Sequence, residues 1–203
     1  LYEKRGEYNL AYDLYFKGQE IIPNTNDDYL KAELYGNLGS VLTQLHKFGE
    51  AYGFLVESYD FFKSLNAKDK IFESSLKHAW YFIQTRNYES ADYYLNLSSK
   101  TANELNNLFY IGQVKYLRAI LEKKDVEKSR QFLEEAIELF KENKNLFELS
   151  LAYYEYAVIL NESGDWEQAL HILTNNRKIV KDYGAIKFLE QNDMLSQKIT
   201  KEH

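Results

Sequence analysis

The chain has 203 residues and a formal net charge of 25 − 31 = −6, with one Pro, nine Gly and no Cys. Few helix breakers favour an all-helical protein. The absence of Cys excludes disulfide frameworks, thiolate zinc sites and cysteine nucleophiles, and fits a reducing, cytoplasmic compartment. No apolar run approaches the roughly 18 residues that span a bilayer, and no signal-peptide pattern opens the chain. An acidic balance is also poor for phosphate backbones, whose affinity comes from Lys and Arg displacing counterions. The expectation is therefore neither a membrane nor a direct nucleic-acid partner.

A short phrase recurs every 38 to 40 residues: an apolar residue, Ala or Ser three later, and an apolar residue four after that. It reads Tyr8–Ala11–Tyr15, Phe48–Ala51–Leu55, Tyr88–Ala91–Leu95, Val126–Ser129–Leu133 and Trp166–Ala169–Leu173. A fixed period in this range signals stacked supersecondary units. Each phrase opens the second helix of a hairpin, and an apolar stripe at spacings of three and four precedes it.

In chain order, second helices are expected near 7–22, 49–65, 89–105, 126–142 and 166–182. First helices are expected near 28–45, 69–85, 107–123 and 147–162, with a capping helix near 185–200. The expected domain is one continuous array over 1–203, a fragment lacking its upstream part because the first repeat has no first helix. Gly39, Ala79 and Ala157 lie twelve residues before Ala51, Ala91 and Ala169, where small side chains let the two helices cross closely. In the fourth repeat Ala119 lies ten residues before Ser129, which points to a shorter turn. Ile186, Leu189, Met194, Leu195 and Ile199 on the last helix need cover. The preceding repeat supplies it in a monomer, and a second copy in a homodimer.

These positions resemble the tetratricopeptide repeat. The last repeat carries the likeness best, as Tyr153, Ala157, Leu160, Gly164–Asp165–Trp166, Ala169 and Leu173, and the first keeps Gly6, Tyr8, Ala11, Tyr15, Gly18 and Pro23. The resemblance implies an all-α, right-handed superhelical solenoid of antiparallel helix hairpins. Repeats near 40 residues are similar to the longer variety in bacterial regulators, among them maltose-activator-like proteins and the peptide-sensing receptors of the Rap, Rgg, NprR and PlcR group. The segment Ile111–Gly112–Gln113–Val114–Lys115–Tyr116 with Arg118–Ala119 resembles the PlcR-like receptors.

In such a stack the first helices line the concave side. Counting from the small residue of each first helix, the groove candidates are Asn37, Ser40, Thr43 and Gln44, then Lys77, Trp80, Ile83 and Gln84. They continue with Gln113, Tyr116 and Ile120, then Tyr154, Glu155, Val158 and Asn161. Amides can satisfy the backbone of an extended peptide, and Trp and Tyr add apolar area at low entropic cost. The resemblance implies that Asn37 holds peptide backbone. Lys77, Leu117 and Glu155 stand at its place in the other repeats.

Nothing in the sequence points to catalysis, a cofactor or a metal. His46, His78, His171 and His203 lack ligand spacing, with His78 the one expected to face inward. Asp27–Asp28 reads as a helix start and Glu134–Glu135 as a solvated face. The expected function is a non-catalytic peptide- or protein-binding domain, the sensor or interaction part of a bacterial transcriptional or signalling regulator. A constitutive protein scaffold and a helical appendage of an enzyme are the alternatives.

Overall fold

The structure, a computed structural model, describes residues 2–22 and 27–202; Pro23 and His203, singled out above, lie outside the described residues. Among these residues ten α-helices follow a short 3-10 turn, Glu3–Arg5. They are α1 Tyr8–Ile21, α2 Asp28–Gln44, α3 Phe48–Ser64, α4 Lys68–Gln84 and α5 Tyr88–Glu104. Then come α6 Leu108–Leu121, α7 Val126–Glu142, α8 Leu146–Glu162, α9 Trp166–Tyr183 and α10 Ile186–Glu202. None of them is long and apolar enough to cross a membrane.

Three of the helices, α2, α5 and α7, begin where a side chain satisfies an orphan amide. Asp27, Asn87 and Asp125 accept hydrogen bonds from the backbone N–H groups of Leu30, Ser90 and Lys128. They end in tight turns. The three-residue linkers place a left-handed residue at their centre: His46, Asn66, Arg86, Asn106, Lys144 and Gly164. The chain can then reverse, and the last carbonyls of the finished helix are closed by the amides that follow, as Lys47 N–H closes Leu42 C=O.

The fourth repeat corrects an expectation. Its turn is not shorter: four residues, Glu122 to Asp125, separate α6 from α7, and none of them has positive φ. The helix is what shrinks, to 14 residues against 17 for α2, α4 and α8.

The chain divides into two compact units, Glu7–Asn107 and Leu108–His203, the latter with Glu3–Gly6. The amino-terminal unit pairs α2 with α3 and α4 with α5, and α2 also packs directly on α4. Its core holds Leu38, Leu42, Ala51, Leu55, Phe62, Phe72, Ala79, Ala91 and Leu95, all at 2% exposure or less. Gly39 shows why the crossing residues are small: a Cβ there would fall 2.6 Å from Leu55 Cγ and 3.1 Å from the Ala51 carbonyl.

The carboxy-terminal unit pairs α6 with α7 and α8 with α9, and packs α6 on α8. Its core runs from Ala119 through Leu133, Phe140, Ala152, Ala157 and Leu173 to Ile199. The capping helix is fixed partly by polar contacts that the apolar pattern does not announce. Asn176 and Asn192, both buried, share a hydrogen bond of 3.2 Å. Asn176 also donates to the Ser150 carbonyl, and Asn192 to that of Leu173. Outside them Arg177 makes a two-pronged ion pair with Asp193. Of the five apolar residues expected to need cover, Ile199 is buried and Leu189 and Leu195 half-buried, whereas Ile186 and Met194 stay exposed.

Candidate binding face

Within each unit a first helix touches the next first helix, α2 on α4 and α6 on α8. At that seam the residues two before the small residue meet in the amino-terminal unit, as Asn37 and Lys77, and the residues one after it follow one turn later on the same helix face. In the amino-terminal unit they are Asn37 and Ser40 on α2, and Lys77 and Trp80 on α4. Lys77 Nζ donates to Asn37 Oδ1 at 2.8 Å, so two candidates forty residues apart become one polar feature. The bond orients the amide by engaging its oxygen, and leaves the Asn37 –NH₂ as a donor.

Gly36 sits beneath this pair. A Cβ there would lie 2.7 Å from Ser58 Oγ and 3.3 Å from Lys77 Nζ. One end of the seam holds a second cluster, where Lys70 bonds Glu33 at 2.7 Å and Glu73 at 3.0 Å. Burial alone would lower the Lys70 ammonium, but the hydrogen bonds to Glu33 and Glu73 outweigh it and hold it above the ordinary lysine value. Ser40, Gln44, Trp80 and Gln84 are half-buried, and the indole N–H of Trp80 makes no hydrogen bond among the described residues.

Two neighbours do not belong to this face. Thr43 is 1% exposed and its hydroxyl bonds the Gly39 carbonyl at 2.8 Å, while Ile83 is also buried. Each stands four residues after a small residue, Gly39 or Ala79, which turns it toward the partner helix of its own hairpin. Asn161 shares that register with respect to Ala157, and its Oδ1 is fully enclosed.

The carboxy-terminal unit carries different chemistry at the same places. Gln113, Tyr116, Tyr154 and Glu155 are all half-buried, and both tyrosines lean on the core. Leu117 and Glu155 occupy the places that Asn37 and Lys77 hold in the other unit, and Leu117 is buried. Burial is the main cause holding the Glu155 carboxyl above the usual carboxylate range; Lys123 opposes it and Glu162 adds to it. Burial, then the Glu155 charge, pushes the Tyr154 phenol up as well.

His78 faces inward but not toward this face. It is fully buried, its Nδ1–H bonds the Ser74 carbonyl at 2.9 Å, and its ring stacks on Tyr94 at 4.6 Å. Burial lowers its pKa, against smaller opposing effects from the Ser74 bond and Asp60. Among the described residues no group of three or more His, Asp or Glu is arranged to hold a metal ion.

A Rap protein solved in complex with Competence and Sporulation Factor superposes with a TM-score of 0.84 over 94% of this chain, at 15% identity. The fold is that of a tetratricopeptide-type helical repeat, an all-α solenoid resembling Rap. The chain spans 54% of the length of that Rap protein. BtubC (BKLC) from P. vanneervenii matches 98% of this chain and 89% of its own at TM-score 0.63 and 11% identity. No family model matches the repeat sequence, and no curated protein is significantly similar to it. The tetratricopeptide likeness thus rests on geometry, which helical repeats keep through helix length and crossing residues while their surface residues vary.

Proposed function

We propose that this is a non-catalytic, peptide- or protein-binding repeat domain, the sensor or interaction part of a cytoplasmic bacterial regulator. The observation that carries the reading is the Asn37–Lys77 pair on the first-helix seam, with Trp80 beside it in register. The oriented Asn37 amide donates to a backbone carbonyl of an extended segment, and Trp80 supplies apolar area for a side chain. The similarity to a Rap protein solved with a bound factor supports the same assignment. Ligand binding would act by favouring one arrangement of the helices over another, so that the event reaches whatever the domain is joined to.

The test is a titration with pools of synthetic pentapeptides and heptapeptides, following Trp80 fluorescence in a Trp166→Phe background. Asn37→Ala should weaken binding about tenfold, as expected for one lost hydrogen bond to a buried peptide group. Affinity unchanged in both Asn37→Ala and Trp80→Ala, the latter read by isothermal titration calorimetry because it leaves no tryptophan to follow, would remove this face from the account.

A further inference from the structure

The second helices of the amino-terminal unit carry a cluster of tyrosines that the first-helix seam does not use. Tyr59 on α3 and Tyr94 on α5 meet edge to face at 5.9 Å. Both pack on the buried His78 ring of α4, at 5.4 and 4.6 Å. Core packing accounts for those two. It does not account for Tyr93, which stands edge-on to Tyr94 at 5.1 Å and is 62% exposed. Nor does it require Tyr52, exposed on α3 at 6.4 Å from the same histidine.

The cluster is electronegative. Burial, then the Tyr93 phenol and the Asp60 carboxylate, holds the Tyr59 phenol above its ordinary value. Burial, then Tyr52, Tyr59, Tyr93 and Asp60, pushes the Tyr94 phenol up to about 12. Negative charge on one of these groups is felt by the others, so a cation placed among them is attracted by all of them and by the ring faces as well. Asp60 is exposed and makes no ion pair among the described residues. A cation already sits here: Lys63 Nζ lies 5.5 Å from the centre of the Tyr59 ring.

We propose that Tyr52, Tyr59, Tyr93 and Tyr94, with Asp60, form a binding site for an organic cation, an alkylated ammonium group. A trimethylammonium suits it best. Its methyl groups carry the charge onto ring faces and it has no N–H to satisfy, whereas a primary ammonium holds water that rings cannot replace. The site lies on α3 and α5, so it does not rest on the peptide-binding reading of the seam between α2 and α4.

The test is an NMR titration of protein with isotope-labelled tyrosine rings, using choline and its neutral carbon isostere, 3,3-dimethylbutanol. Choline should move the Tyr59, Tyr93 and Tyr94 ring resonances saturably and bind at least about fivefold tighter than the alcohol. An arm with acetyl-trimethyllysine amide identifies the source: tighter binding than choline assigns a methylated side chain, and weaker binding a free small molecule. Asp60→Asn and Tyr93→Leu, both at exposed positions that leave the fold intact, should each weaken choline about threefold or more. Lys63→Met should tighten it, because the resident ammonium both competes and repels. Shifts that are absent or do not saturate, equal affinity for choline and the alcohol, or a Lys63→Met variant that binds no tighter would overturn the proposal.

Discussion

Ser129 on α7 donates a hydrogen bond from its hydroxyl to the backbone carbonyl of Ala119, on α6, at 2.7 Å in the buried crossing of the fourth hairpin. That carbonyl is among the four at the end of α6 that have no amide ahead of them in the helix. The other repeats carry Ala at the Ser129 position, Ala51, Ala91 and Ala169, because their first helices run on past the crossing. The early end of α6 and the hydroxyl on α7 are thus one adaptation. Ser129→Ala should cost about 1–3 kcal/mol by leaving the carbonyl unpaired. A lower midpoint at unchanged m-value in urea denaturation would report it.

Two glycines of the second hairpin predict opposite outcomes for the same substitution. Gly39→Ala should destabilise by about 1–3 kcal/mol, since the added methyl meets Leu55 and the Ala51 carbonyl. Gly53, exposed within α3, has nothing within 4 Å of the added atom, so Gly53→Ala should stabilise by about 0.5–1 kcal/mol. Thermal melts of the two variants, side by side, check the contrast.

The turns allow a similar exchange. Lys144 and Gly164 occupy equivalent left-handed positions, at φ 55° and 89°. Lys144→Gly should raise stability by up to about 1 kcal/mol and Gly164→Ala should lower it by a similar amount, because a Cβ is disfavoured in that region. Equal melting temperatures for all three proteins would contradict the argument.

His78 makes stability depend on pH. Its folded pKa lies below the ordinary value of 6.5, so at pH 7.5 neither the folded nor the unfolded state is protonated and stability is at its full value. As the pH falls through 6.5 the unfolded chain takes up a proton that the buried ring resists, and stability declines until the folded pKa is reached. Between pH 7.5 and 5.5 the loss amounts to at most about 1.4 kcal/mol from this group. His78→Phe should flatten that dependence in denaturant titrations at the two pH values, whereas His171→Phe, at an exposed position, should leave it in place.

The capping helix gives a last contrast. Asn192→Ala strips a buried amide from Asn176 and from the Leu173 carbonyl, and should cost about 1–3 kcal/mol. Asp193→Ala removes an exposed ion pair with Arg177 one residue away and should cost under about 1 kcal/mol. Chemical denaturation of the two variants distinguishes them.

The hairpin fold was legible because the apolar–small–apolar phrase encodes packing, and packing repeats. Ala51, Ala91 and Ala169 are all fully buried. Whether Thr43 faced a groove or its own hairpin was not legible from a list of inner positions. It followed only once the four-residue offset from Gly39 was tied to the direction of the crossing. The shortened α6 was misread as a shortened turn, because a two-residue deficit between Ala119 and Ser129 does not say which element loses residues. The Asn37–Lys77 bond had a trace in the sequence, since the two share a register in successive repeats. The Asn176–Asn192 pair had none: burying two amides is tolerable only through partners sixteen or more residues away.

Gly36 underlies the proposed binding face without joining it. Any Cβ there would lie 2.7 Å from Ser58 Oγ and 3.3 Å from the Lys77 ammonium that bonds Asn37, so the side chains beneath and within the pair would have to shift. If the proposed face takes a ligand, its address is written partly in a residue beneath the lining side chains. A chain could switch its preference by a single change beneath the surface, with every lining side chain still in place.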